Sequence, residues 1–134
     1  TPRQLKFKYP LTFEDRSILI NSYNMETILS EKIETVLRRG RFNSRMKDFY
    51  DIYYFLKYLK NDMDMNILKM AIKNTFDSRD SLSYFKDYKE IMNSIRYSEL
   101  MIKQWKIYSN KYNYANNISF NDILDMLEKF LNIL

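Results

Sequence analysis

"RMKDFYDIYYFLKYL", residues 45–59, decides the fold. Its apolar positions Met46, Phe49, Ile52, Tyr53, Leu56 and Leu59 recur at the three- and four-residue spacing of a helix with one buried face. Asp48 is set into that face, between Ile52 and Phe55, and Asp51 lies at its edge. Upstream, "METILSEKIETVL", residues 25–37, has the same period through Met25, Ile28, Leu29, Ile33, Val36 and Leu37. At about 100° per residue, Lys32 points inside the apolar arc, whereas Glu31 and Glu34 point away from it. An unpaired buried charge is strongly unfavourable. Lys32 and Asp48 are therefore expected either to meet or to open onto a cleft. Two readings stand side by side. One is a structural salt bridge between packed helices, with Lys32 extending its ammonium to water. The other is a functional site.

Working outward, the first helix is expected to end at Gly40, just after Arg38 and Arg39. Asn24 and Ser44 are the expected N-caps of the first and second helices. A third helix is predicted over residues 65–76 and a turn over 77–81. Residues 84–112 read as one long helix or two, with Ile91, Ile95, Leu100, Met101, Trp105 and Tyr108 on the inner face. A loop follows at 113–117, and Ser119 caps a closing helix that faces inward through Ile123, Leu124, Leu127, Phe130 and Leu131. Ahead of all this, residues 5–15 alternate apolar and polar around Pro10, and 17–23 are rich in β-branched side chains, so two short strands are predicted. The expected fold is mostly α: a bundle of five to six helices over residues 24–134, preceded by a short strand pair within residues 1–23.

Composition narrows the chemistry. The 134 residues, 46% of them apolar and 16% aromatic, suffice for one packed domain. A single Gly and two Pro favour helices over tight hairpins. The absence of Cys excludes disulfides and a thiolate nucleophile, and the absence of His removes the commonest general base and the usual zinc ligands. Only carboxylates and carbonyls remain to hold a metal, which suits a hard ion such as Mg²⁺. The net charge of +5 favours anionic partners, nucleic acid first. No apolar run approaches the roughly 20 residues of a membrane span, and no secretory pattern is seen, so the expected compartment is the cytoplasm. The link "RRGRFNSRMK", residues 38–47, gathers Arg38, Arg39, Arg41, Arg45 and Lys47. It can hold phosphates or be a solvated basic loop.

Residues 24–55, "NMETILSEKIETVLRRGRFNSRMKDFYDIYYF", resemble the AbiEii/AbiGii toxin family of nucleotidyltransferases. The likeness rests on Tyr23, Glu26, Glu31 and Lys32 in a "Y-x-x-E-x-x-x-x-E-K" pattern, then on Arg45, Lys47, Asp48, Tyr50 and Asp51 in "R-x-K-D-x-Y-D". Fainter echoes run through "AIKNTFDSRDS", "WKIYSNKY" and "SFNDILDMLEKFL". The resemblance implies a toxin of a type IV toxin–antitoxin or abortive-infection system, acting in phage defence or plasmid maintenance. It implies transfer of a nucleotide from an NTP, with Mg²⁺, to an acceptor such as tRNA, and a cognate antitoxin as partner. It further implies that Lys32 acts near the nucleotide phosphates and that Asp48 belongs to the active site, which makes these two the candidate catalytic residues; within the basic link Arg45, Lys47 and Arg41 are the candidates for phosphate contact, and Asp51 and Glu31 are supporting candidates.

The chain departs from the family pattern in having no Gly-Ser motif followed by an Asp-x-Asp metal site. Asp62-Met63-Asp64 has the letters but follows the aromatic helix, and is not expected to be that site. The expectation is that this chain is the C-terminal part of a longer enzyme. Residues 1–23 would then close an α/β nucleotidyltransferase core lying upstream, no metal ligands would be present in this chain, and the part alone would be inactive. The competing expectation is a non-catalytic helical module that binds nucleic acid or an antitoxin.

Overall fold

The computed structural model describes residues 25–134. The predicted strands and the Asn24 cap lie outside the described residues. Within them the chain is helical throughout: α1 (Met25–Arg39), α2 (Met46–Tyr58), α3 (Met65–Ser78), α4 (Leu82–Lys86), α5 (Tyr88–Arg96), α6 (Glu99–Lys111) and α7 (Phe120–Asn132). Short 3-10 turns at Gly40–Phe42, Lys60–Asp62 and Asn113–Ala115 join them. No strand occurs among the described residues.

Helices α1 and α2 form the centre. The flank of α1 is covered chiefly by α3, with α4 and α5 also packed against it, and α2 packs on α7 and α6. This explains why α2 is buried on nearly every side, from Met46 through Leu56, rather than along one stripe. It also corrects the expectation for Glu34. The buried arc of α1 continues past Leu37 to Ser30 and Glu34, because a second layer of helices lies on that side. The core includes Leu29, Ile33, Phe49, Ile52, Phe55 and Phe76, each fully buried and each contributing about 1.5–3 kcal/mol of transfer free energy. Phe120 joins the two halves of the core. Its ring meets Phe49 edge-on at 5.2 Å and stacks on Trp105 at 5.8 Å, while the Trp105 indole N–H donates to the Ile118 carbonyl at 2.9 Å.

Local signals set the ends. Gly40 stops α1 with φ at +54°, a left-handed conformation that costs other residues energy. The α2 start differs from expectation. Ser44 makes no cap, and the Asn43 side chain instead accepts the Arg45 N–H at 3.0 Å, two residues on. Asp64 caps α3 by accepting from the backbone N–H groups of Asn66 and Ile67 at 2.8 and 3.1 Å. The stretch 84–112 forms parts of three helices rather than one or two. Ser98 opens α6 by accepting the Met101 N–H at 3.2 Å, and that break resets the helical phase. Met101 and Trp105 consequently face the core, while Leu100, expected beside them, is exposed. Ser119 caps α7 as expected.

Candidate active site

The site is built where α1 passes α2. Lys32 comes from the middle of α1, and Lys47, Asp48 and Asp51 come from the first two turns of α2. Asp51 is fully buried and is the hub. Its carboxylate lies 2.9 Å from the Lys32 ammonium, and it accepts from the Lys47 ammonium at 3.0 and 2.8 Å through its two oxygens. Lys32 is thus tied to Asp51, the residue read as lying at the edge of the face, and not directly to Asp48. The i,i+4 spacing of Lys47 and Asp51 is a helix-surface pairing, here carried into the interior by the near-complete burial of α2.

Asp48 sits beside this trio, 5% exposed, with the Arg45 guanidinium 3.5 Å away. Burial pushes its carboxyl above the ordinary 3.8, and the positive charges of Lys32 and Arg45 only partly offset that rise. Asn43, also buried, lies close enough to favour the charged form of Asp48. Its amide nitrogen nonetheless finds no hydrogen-bond partner of normal geometry among the described residues. Arg41 is placed elsewhere, over the exposed ring of Phe42 at 4.9 Å. Glu31 is exposed and faces Arg79 at 4.0 Å.

A second buried charge went unread in the sequence. Glu34 accepts from Arg38 at 2.9 Å and from Arg79 at 2.7 Å. Burial alone would raise its carboxyl, but hydrogen bonds from Arg79 and Arg38 outweigh it and hold Glu34 below the usual 4.5. The Glu34–Arg38 pair has a helical i,i+4 signature, whereas the reach of Arg79 back from the end of α3 depends on tertiary packing. Arg79 thereby acquires a structural role, fastening α3 to α1.

On its other side the cluster adjoins tyrosines. The Tyr50 and Tyr114 rings meet edge-on at 4.7 Å, and the Tyr114 hydroxyl shares a hydrogen bond with that of Tyr108. Burial raises the phenols of Tyr50, Tyr108 and Tyr114, and the negative charge of Asp51 adds to each. These phenols therefore stay neutral near pH 7.

No group of three or more acidic side chains capable of holding a metal ion occurs among the described residues. Asp51 is neutralised by two ammonium groups, and Asp64 is occupied as a cap. The described residues thus do not by themselves fit Mg²⁺. The arrangement can place lysine charge beside an anion and present one carboxylate of raised basicity.

Comparison with known families gives one result. A family model described as "Nucleotidyl transferase AbiEii toxin, Type IV TA system" matches residues 2–126. No curated protein and no solved structure gives a significant match.

Proposed function

The chain belongs to the AbiEii family of nucleotidyl transferase toxins of type IV toxin–antitoxin systems, and on that premise we propose that the α1–α2 cluster is the part of a nucleotidyl-transfer site that this region supplies. The observation that carries the reading is the burial of Lys32, Asp48 and Asp51 on facing helices, with Lys47 and Arg45 at the rim. Lys32, Lys47 and Arg45 there bring three positive groups close to one another, as phosphate recognition requires.

In this proposal Lys32 and Lys47 approach the phosphates of an NTP. Lys32 is a compact point charge, held in place by Asp51, and stabilises negative charge as it builds on the transferred and leaving groups. Asp48 receives the proton of the acceptor hydroxyl, or orients that hydroxyl by accepting its hydrogen bond. Its raised carboxyl makes it a stronger base than an exposed aspartate. Arg45 is positioned to steer phosphate toward Lys47. The catalytic roles are thus given to Lys32 and Asp48, and Asp51 is a positioning residue. The acceptor we propose is RNA, tRNA included, in keeping with the basic charge of the chain. A cognate antitoxin is the proposed protein partner. No helix among the described residues is long and apolar enough to cross a membrane.

The test uses the natural full-length protein with each labelled NTP, Mg²⁺ and total cellular RNA. Label entering an RNA band supports the reading. Absence of label from both RNA and protein with all four NTPs contradicts it.

A further inference from the structure

Asn43, in the link between α1 and α2, is only 1% exposed although it carries a polar amide. Two bonds hold it in place. Its backbone N–H donates to the Gly40 carbonyl at 3.1 Å, and its side-chain oxygen accepts the Arg45 N–H at 3.0 Å. The second bond fixes which way round the amide lies, because a backbone N–H can be met only by the oxygen. The other end is therefore the donor, Nδ2. Among the described residues, Nδ2 is the buried side-chain polar atom that has no partner of normal geometry.

A buried donor left unpaired is unfavourable, and in a folded protein it calls for a reason. The charged groups of the cluster narrow the choice of acceptor. Lys32, Lys47 and Arg45 carry donors only. Asp51 is already shared by two ammonium groups at 2.8–3.0 Å. Asp48 is different: it is 5% exposed and its ion pair with Arg45 is long, at 3.5 Å, so its oxygens have room for a further donor. The Asp48 N–H donates to the Arg45 carbonyl at 3.2 Å, which ties Asn43, Arg45 and Asp48 into one short stretch of bonded chain.

We propose that Asn43 is a positioning residue for the transfer reaction, donating from Nδ2 to the Asp48 carboxylate and leaving the remaining lone pairs of that carboxylate to the acceptor hydroxyl. This rests on the transferase reading and adds a residue to it. Asn43 acts only through Asp48. Burial and the charge of Asp51 oppose ionisation of Asp48, while Lys32, Arg45 and the Asn43 amide favour it. Asn43 thereby helps to set the pH at which Asp48 becomes a base.

The test separates this role from a merely structural one. Asn43→Ser and Asn43→Thr keep an oxygen able to accept the Arg45 N–H and lose the amide donor. The Asp48 carboxyl is followed against pH by carbon-13 NMR in the natural full-length protein, its signal assigned by its loss in Asp48→Asn. Transfer of labelled nucleotide is measured alongside. In wild type the Asn43 side-chain amide signals should move with the same midpoint as the Asp48 carboxyl. In both variants that midpoint should move to higher pH, since the ionised form has lost a donor. The acid limb of kcat should follow it, and kcat should fall about ten-fold with KM little changed. Wild-type amide signals that do not follow Asp48 overturn the proposal, whether or not the variants fold. A midpoint unmoved in the variants also overturns it, because a role confined to the turn predicts that result, and so does an unchanged kcat. If the amide ignores Asp48 while transfer is present and lost in Lys32→Met, the Asn43 role fails and the transferase reading stands. If the midpoint moves but wild type transfers no label, the Asn43–Asp48 bond stands and the transferase reading fails.

Discussion

The Lys32 ammonium lies 2.9 Å from Asp51, and Lys47 reaches the same carboxylate from one turn earlier on α2. This sharing predicts different outcomes for the two partners. Lys32→Met keeps the buried stem and leaves Asp51 paired with Lys47, so calorimetric unfolding should shift by no more than about 1–2 kcal/mol while nucleotide transfer is lost. Asp51→Ala removes the buried carboxylate that both ammonium groups share and should destabilise by about 3–5 kcal/mol. Two of the buried carboxylates, Asp48 and Glu34, respond to pH in opposite senses. Asp48 is raised in the fold, so its contribution opposes stability as pH rises from 3.8 through its folded value, and that cost is fully present above it. Glu34 is lowered, so it stabilises above 4.5 and that contribution is lost as pH falls through its folded value. Acid unfolding of Glu34→Gln should therefore begin from lower stability near neutrality but depend less steeply on pH below 4.5.

Among the elements, α2 announces itself through period and composition, and so do the Gly40 stop and the Ser119 cap. What the pattern could not reveal was how many neighbours each helix has. Glu34 lies opposite the apolar arc of α1, yet α3 and α4 bury it. Leu100 fits a continuous helix over 84–112 and is exposed because Ser98 restarts the phase. The charged residues of the site were visible as intruders on apolar faces. Their pairing was not, because Asp51 becomes the hub only through the crossing of α1 and α2. Asp64 shows the limit of letter matching. It resembles half of a metal motif, but it caps α3 and donates its own N–H to Glu26 at 3.2 Å. Asp64→Ala should cost about 1 kcal/mol, read as a lower urea midpoint with an unchanged slope.

Taken as a molecule, the helices hold the cluster through cross-links remote from it. Arg96 on α5 bonds Asp125 and Glu128 of α7 at 2.7 and 3.0 Å, and Arg79 fastens α3 to Glu34 of α1. The result is a scaffold whose two central helices carry the charges and whose tyrosine face flanks them. If the buried charge serves chemistry rather than stability, as proposed above, substitution of Asp48 separates the two effects. Transfer of labelled nucleotide and thermal unfolding should be measured together for wild type and Asp48→Asn in the natural full-length protein. Asp48→Asn should lose transfer at least about a hundred-fold with a melting temperature equal to or above that of wild type, since a buried carboxyl of raised basicity is relieved. Transfer within a few-fold of wild type, together with a lowered melting temperature, would contradict it and leave Asp48 as a structural partner of Arg45.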